Sequence, residues 1–365
     1  MQRIIRTENT IIELEKILKD LNVTKYFLVC GKSIKKHDIY DFFIKDFRLV
    51  GIFNEYTSNP KLEDICRGVE KYKVSGSNCI ICVGGGSSID VAKCIKIFSN
   101  IDNPDDYLKK INIDSDDTII AIPTTAGSGS ESTKFAVVYV DNEKKSVESD
   151  IILPQYAILN SNYLSQLPMK HKVCTMMDAM CQSIEAWWSV NSTEQSIEYS
   201  KEALMLIVSN MDNYLTTDDK EASDRILLAA NLSGRAINIA KTTATHAMSY
   251  KLTTLYNIPH GCSVAVLLPK IWGYMVDNID KCTDKRGIEY LNNVFFSIAN
   301  CFGVDNPKAA IGKIEGIIEK NNIKSPIVKK SDFLQLVKSV NIERLRNNPV
   351  YISEDDICSL YSSLC

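Results

Sequence analysis

The sequence predicts two domains: a doubly wound, dinucleotide-binding α/β domain over residues 1–166 and an all-helical domain over 167–365. Three observations predict this. Short apolar runs ending in glycine alternate with helical periodicity in the first half. A triple glycine in VGGGSSIDVAK (83–93) joins a strand to a helix, as phosphate-binding turns do. Beyond LSQLP (164–168), strand-like runs nearly vanish. The 365 residues, 45% hydrophobic and 24% charged, suffice for two buried cores.

The elements follow in order. KYFLVC (25–30) is a buried parallel strand, and NPKLEDICRGVEKY (59–72) is a helix entered from Asn-Pro. NCIICVG (78–84) is the next strand, with SSIDVAKCIKIFS as its helix and TIIAIP (118–123) as a further buried strand. KFAVVYVDNEKKSVESD reads as a hairpin turning at Asp141-Asn142. The second half carries helical periodicity in SIEYSKEALMLIVSNMDNYL, DRILLAANLSGRAINIA and KAAIGKIEGIIEKNN. There is no internal repeat and no low-complexity linker.

Composition excludes several classes of function. Net charge is −3 and no Lys/Arg block dominates, so nucleic acid is not an expected partner. The N-terminus mixes charge into its apolar residues, unlike a secretory signal. No apolar run reaches the roughly 18 residues of a membrane span. A cytoplasmic protein is expected, with its twelve cysteines as reduced, buried thiols. Cys79 and Cys82 form a C-x-x-C, but in a strand their side chains point to opposite faces.

Four motifs could carry chemistry. In VGGGSSIDVAK, Gly84, Gly85, Gly86 and Ser87 offer backbone N–H groups and a helix N-terminus to a phosphate. The pattern departs from G-x-G-x-x-G, because Ile89 stands at the last glycine position. CGKSIKK (30–36) is not a P-loop, because Tyr26 occupies the required earlier glycine position. As a turn after a strand, its Gly31, Lys32, Ser33 and Lys36 present two positive charges and no carboxylate. That favours a ribose 2′-phosphate, hence NADPH over NADH, against the alternative of a solvated basic loop. PTTAGSGSES (123–132) supplies Thr124, Thr125 and Ser128 for phosphates or a carboxamide. THAMSYKLTTLYNIPHG (245–261) holds two of the four histidines, His246 and His260. Asp178 and Gln182, in MMDAMCQSIEAWW (176–188), are four apart and share a helix face. These four residues are either a metal site with an amide ligand or polar residues of structural use.

In this order, the motifs resemble the iron-containing (group III) alcohol dehydrogenases, of dehydroquinate synthase-like architecture. The resemblance runs from NPK (59–61) to NNPVYISEDDICSLY (347–361) and extends the cofactor set to Asn59, Asp90 and Lys145. It implies an active site in the cleft between the domains, and a homodimer or higher homo-oligomer. A divalent metal is held in the family by an Asp and a His one helical turn apart and by two further His. Asp178, His246 and His260 match; Gln182 stands in place of the first His. Tyr250 stands where many members have another His implicated in proton transfer. The set of two oxygens and two nitrogens would take Fe²⁺ or Zn²⁺ and tolerate Mn²⁺, with a metal-free enzyme as the alternative.

DAMCQSIEAWWSVNST together with KTTATHAMSY is most similar to the branch of the family that reduces phosphonoacetaldehyde. The implied reaction is NAD(P)H-dependent reduction of a small anionic aldehyde to a primary alcohol, here 2-hydroxyethylphosphonate. Arg344, with Arg346 beside it, and then Lys241 and Lys134 are the candidate cations for the substrate anion. The alternatives are a general alcohol or diol dehydrogenase, a carbon–oxygen lyase or cyclase on the related fold, and a non-catalytic nucleotide-binding protein.

Overall fold

The computed structural model describes residues 2–109, 115–141, 143–217, 219–340 and 342–364. The chain divides into two compact units, Met1–Leu167 with Asp218–Asn231, and Pro168–Thr217 with Leu232–Cys365. No helix among the described residues is long and apolar enough to cross a membrane.

The first unit is built on β1 (Arg3–Arg6), α1 (Thr10–Asp20), β2 (Tyr26–Cys30), α2 (Ile39–Lys45), β3 (Leu49–Phe53), α3 (Leu62–Ser75), β4 (Cys79–Gly84), α4 (Gly86–Phe98), β5 (Thr118–Pro123), β6 (Phe135–Val140), β7 (Glu143–Glu148) and β8 (Tyr156–Leu159). Six strands form one parallel sheet in the order β1-β8-β5-β4-β2-β3. β2, β4 and β5 are almost wholly buried, which is why they read as continuous apolar runs. The edge strands β1 and β3, and the short β8 between β1 and β5, were not legible. RIIR and YAIL are only four residues long, and LVGIF carries an interior glycine.

Helices cover both faces of the sheet. Leu14, Ile17, Ile39 and Phe43 of α1 and α2 pack with Leu28, Ile81 and Ile120 on one face. Ile65, Val69, Val91 and Ile95 of α3 and α4 pack with Phe27, Ile80 and Ile119 on the other. Cys79 joins the first cluster and Cys82 the second, so the C-x-x-C is split by the sheet as strand geometry requires. β6 and β7 pair antiparallel as the expected hairpin. Asp141 takes φ 51° at its turn; Asn142 lies outside the described residues.

Residues 218–231 extend the first unit beyond the expected boundary. Asn231 Nδ2 donates to Glu131 Oε1 at 3.0 Å and to Ser132 Oγ at 2.7 Å. Lys220 pairs with Glu8 at 2.6 Å. These bonds tie this stretch to the first unit, whereas helical periodicity alone places the whole helix in the second.

The second unit is helical. α5 (Met169–Trp188) and α6 (Glu194–Thr216) are followed by α7 (Lys220–Ala240), whose second half belongs here. Then come α8 (Ala244–Leu255), α9 (His260–Asp277), α10 (Ile288–Cys301), α11 (Pro307–Lys320), α12 (Phe333–Lys338), α13 (Ile342–Leu345) and α14 (Glu354–Ser362). Trp188 is fully buried, edge-on to Trp272 at 5.7 Å, and its indole donates to Thr243 Oγ1 at 2.9 Å. That bond anchors the end of α5 to the start of α8.

Candidate active site

In the first unit, the sheet order reverses at β2, whose neighbours are β3 and β4. Crevices at the carboxyl ends of strands flanking such a switch point are where open α/β sheets bind ligands. Gly31 N donates to Val83 O at 3.2 Å and Thr124 N to Gly84 O at 3.0 Å, so the turns after β2, β4 and β5 lie side by side. Gly84 has φ 155°, and a Cβ there would fall 2.1 Å from Ser88 Oγ. A Cβ on Gly86 would fall 2.6 Å from Ser128 Oγ. Gly84 and Gly86 therefore let these turns close on one another. No side chain caps the N-terminus of α4, which leaves first-turn N–H groups for a phosphate.

The other cofactor candidates differ in their surroundings. Residues Lys32–Lys36 form a short 3₁₀ turn after β2, with Ser33 and Lys36 exposed. The first acid beyond it, Asp38, accepts from Ile39 N at 2.9 Å as the cap of α2. Ser87 Oγ donates to Ser58 O, beside the exposed Asn59. Asp90 accepts from Ser130 Oγ at 2.6 Å and from Val137 N at 3.1 Å. Its carboxylate braces the loop after β5 against β6. Lys145 is exposed on β7 and pairs with Glu143 at 2.8 Å.

In the second unit, Asp178, His246 and His260 offer ligand atoms that all lie within 4.8 Å of one another. Asp178 projects from α5, His246 from the first turn of α8, and His260 is the first residue of α9. His246 Nε2 stands 3.2 Å from Asp178 Oδ1, and His260 Nε2 stands 3.9 Å from the same oxygen. Gly261 makes this approach possible, because a Cβ there would lie 1.8 Å from the carbonyl oxygen of Cys174. α5 and α9 thus touch backbone to backbone, one turn from Asp178.

Glu185, two turns beyond Asp178 on α5, was not singled out from the sequence. Its Oε2 meets His246 Nδ1. Its Oε1 accepts from Thr243 N and Thr245 N at 3.0 Å each, from Thr243 Oγ1 at 2.8 Å and from His246 N at 3.3 Å. One buried carboxylate from α5 therefore caps α8 and orients its histidine. Burial alone would raise the Glu185 pKa, but His246 and the Thr243 hydrogen bond outweigh it and hold it below the carboxylate value. Burial alone would likewise depress His246, and Glu185 and Asp178 outweigh it to raise its pKa. The available signal was the seven-residue spacing from Asp178, which puts both acids on one helical face.

These residues fit a divalent metal. A hard carboxylate and two imidazole nitrogens converge, and the remaining nitrogen of His246 faces a carboxylate, as metal-bound histidines ordinarily do. Gln182 is buried one turn after Asp178, and its Oε1 accepts from Ser233 Oγ at 3.1 Å. An amide oxygen has two lone pairs, so this bond leaves one acceptor position.

Tyr250 and Arg344 adjoin this cluster. The Tyr250 ring stacks on His260, with centroids 5.6 Å apart at 17°. The Arg344 guanidinium carbon lies 5.4 Å from the Tyr250 ring centroid. Arg344 Nη1 donates to Thr242 Oγ1, and Asn347 Nδ2 donates to Thr242 O at 3.0 Å. Lys241, just before Thr242, takes φ 61° as α7 ends. Burial raises the Tyr250 pKa, with Arg344 opposing. Arg346 is exposed. Lys134, in the first unit, is engaged by Asp150 at 3.1 Å and Glu148 at 3.9 Å. Its charge is thereby matched at the foot of the hairpin.

One expectation is corrected. The cysteines are not all reduced thiols, because Cys174 and Cys262 are joined by a disulfide. The bridge spans a sequence separation of 88 residues, and tertiary packing of α5 on α9 brings the two together. Cys30, Cys79, Cys82, Cys94 and Cys181 are free and buried.

Comparisons with known proteins agree with this geometry. Residues 1–161 match the family model for iron-containing alcohol dehydrogenase, and residues 172–365 match the C-terminal model of the Fe-containing alcohol dehydrogenase family. Phosphonoacetaldehyde reductase of Streptomyces viridochromogenes is 32% identical over 63% of this chain and 62% of its own length. The probable alcohol dehydrogenase EutG of Escherichia coli K12 is 31% identical over 58% of this chain and 55% of its own length. The matched stretches thus span less than two thirds of these relatives. Among solved structures, sulfoacetaldehyde reductase from Bifidobacterium kashiwanohense in complex with NAD⁺ superposes with TM-score 0.88. It is 23% identical and covers 100% of this chain and 96% of that one, a likeness of fold.

Proposed function

Because the chain belongs to the iron-containing alcohol dehydrogenase family, we propose that it reduces a small anionic aldehyde to a primary alcohol with NADPH. Phosphonoacetaldehyde is the favoured substrate. The observation that carries this reading is Arg344, whose guanidinium lies over Tyr250, itself stacked on His260. A fixed cation beside the metal cluster suits an aldehyde that carries a negative group, and the phosphonoacetaldehyde reductase relative supports that choice.

When bound, a divalent metal would polarise the carbonyl as a Lewis acid, and NADPH would supply the hydride. Asp178, His246 and His260 would hold the metal, with Gln182 completing the set through its amide oxygen. Glu185 keeps the His246 Nδ1 proton directed at itself, which would leave Nε2 free to hold the metal. The Gly84–Gly86 turn and the N-terminus of α4 receive the pyrophosphate. Lys32 and Lys36 favour a 2′-phosphate. Tyr250 keeps its proton at neutral pH, because burial raises its pKa, and its hydroxyl gives that proton to the nascent alkoxide. Arg344, held by Thr242, pairs with the substrate anion and fixes the aldehyde for attack.

The test is Arg344→Ala assayed on phosphonoacetaldehyde and on a neutral aldehyde of similar length. A lost charge-assisted contact is worth about 1.5–3 kcal/mol, so kcat/KM should fall roughly 10- to 150-fold for the anion alone. Equal losses on both substrates would remove Arg344 from this role and favour a general alcohol dehydrogenase.

A further inference from the structure

The Cys174–Cys262 bridge sits on the same two helices as the candidate ligands. Cys174 lies one turn before Asp178 on α5, and Cys262 lies two residues after His260 on α9. Their Cα atoms are 5.1 Å apart, within the range that a disulfide spans without backbone movement. Gly261, between His260 and Cys262, is pressed against the Cys174 carbonyl and would bring a Cβ to 3.0 Å from Asp178 Cβ. The crossing is therefore set by backbone packing at Gly261 and not by the sulfurs alone.

Access is graded. Cys174 and Cys262 are 5% and 6% exposed, too little for a protein-sized reductant. The neighbouring His260 side chain is 34% exposed, so solvent reaches within two residues of Cys262.

We propose that Cys174 and Cys262 form a reversible dithiol–disulfide site whose oxidised form staples α5 to α9 and slows loss of the metal from Asp178 and His260. The consequence for the metal rests on the reading of the site given above; the thiol chemistry does not. The oxidant is a small soluble disulfide. The two protein thiols give up two protons and two electrons as their S–S bond forms, and the reagent's S–S bond is cleaved to two thiols through a mixed disulfide. A small dithiol reverses the exchange. Oxidation closes a loop across the 88-residue separation, which restricts the unfolded chain. It also ties Asp178's helix to His260's helix one turn from the former and two residues from the latter. Metal release then requires the two helices to part against a covalent bond.

The experiment uses the full chain, equilibrated with oxidised glutathione or with dithiothreitol. Free thiols are then alkylated under denaturing conditions, and the digest is searched for a Cys174–Cys262 linked peptide. That peptide should appear after oxidation, vanish after reduction and return on reoxidation. The metal-free oxidised protein should melt roughly 5 °C or more above the reduced one. After loading with Zn²⁺, release to a chromogenic chelator should be about threefold or more slower in the oxidised form. Cys174→Ser and Cys262→Ala should each abolish the peptide and both differences. Absence of the peptide, or redox differences that persist in both variants, would overturn the site. Equal Zn²⁺ release in both states would overturn its protection of the metal. Failure to reduce aldehydes would instead refute the proposed function, leaving the peptide and melting results unaffected.

Discussion

Glu185 Oε2 faces His246 Nδ1, while the other ring nitrogen, Nε2, stands 3.2 Å from Asp178 Oδ1. One carboxylate thus orients the imidazole and the other shares its ligating side. This relationship predicts how metal retention responds to pH. The His246 pKa is raised from 6.5, because Glu185 and Asp178 outweigh burial. A proton on Nε2 competes with the metal, so metal retention should fall on acidification, and the raised His246 pKa favours that proton. Glu185→Gln should weaken metal binding at neutral pH roughly 10- to 100-fold. Metal content after dialysis at neutral pH and across a pH series checks both effects; unchanged metal content in the variant would separate Glu185 from His246.

The metal-free protein carries the same linkage in its stability. Glu185 is depressed from 4.5, so its contribution is complete above pH 4.5 and is lost as pH falls through its folded value. His246 is raised, so its contribution is complete below pH 6.5 and is lost as pH rises through its folded value. The pair therefore stabilises the metal-free chain most between pH 4.5 and 6.5. Melting temperatures of wild type minus Glu185→Gln should be largest in that window.

Gln182 can be tested by restoring the imidazole. Gln182→His should tighten retention of Zn²⁺ or Fe²⁺ by about tenfold or more, because imidazole is the better donor for these ions. Gln182→Ala should weaken it. Elemental analysis after chelator challenge reads both; identical occupancy in all three proteins would make Gln182 only a partner of Ser233.

Tyr250→Phe should lower kcat for aldehyde reduction roughly 10²- to 10⁴-fold with little change in cofactor affinity. In the wild type, the raised phenol pKa keeps the proton in place, so this group should leave reduction unaffected through neutral pH and lower it only above 10. A variant that keeps full kcat would reassign the proton to water.

The basic turn after β2 predicts cofactor choice. Lys36→Ala should raise KM for NADPH about threefold to tenfold and leave KM for NADH nearly unchanged. Equal effects on the two cofactors would return the loop to an ordinary solvated role.

Much of this was legible in the sequence because it depends on local chemistry. Buried parallel strands read as apolar runs, and the triple glycine marks a turn where a Cβ on Gly84 or Gly86 would collide with neighbouring serines. Asp178, His246 and His260 stand out by residue type and spacing, and the family resemblance names them as candidate ligands. β1, β3 and β8 were not, because their stability comes from neighbouring strands; β1, for instance, pairs with β8 across about 150 residues. Lys134 looked like a free cation until the base of the hairpin brought Asp150 and Glu148 to it.

The sequence by itself determined the two fold types, the triple-glycine turn and the candidate ligand side chains, since periodicity, glycine and donor chemistry are properties of short stretches. Only tertiary structure decided that Glu185 serves His246, that residues 218–231 join the first unit and that Cys174 meets Cys262. These facts depend on which helix faces cross and how closely. That closeness was set by Gly261, whose missing side chain lets α9 rest on the backbone of α5.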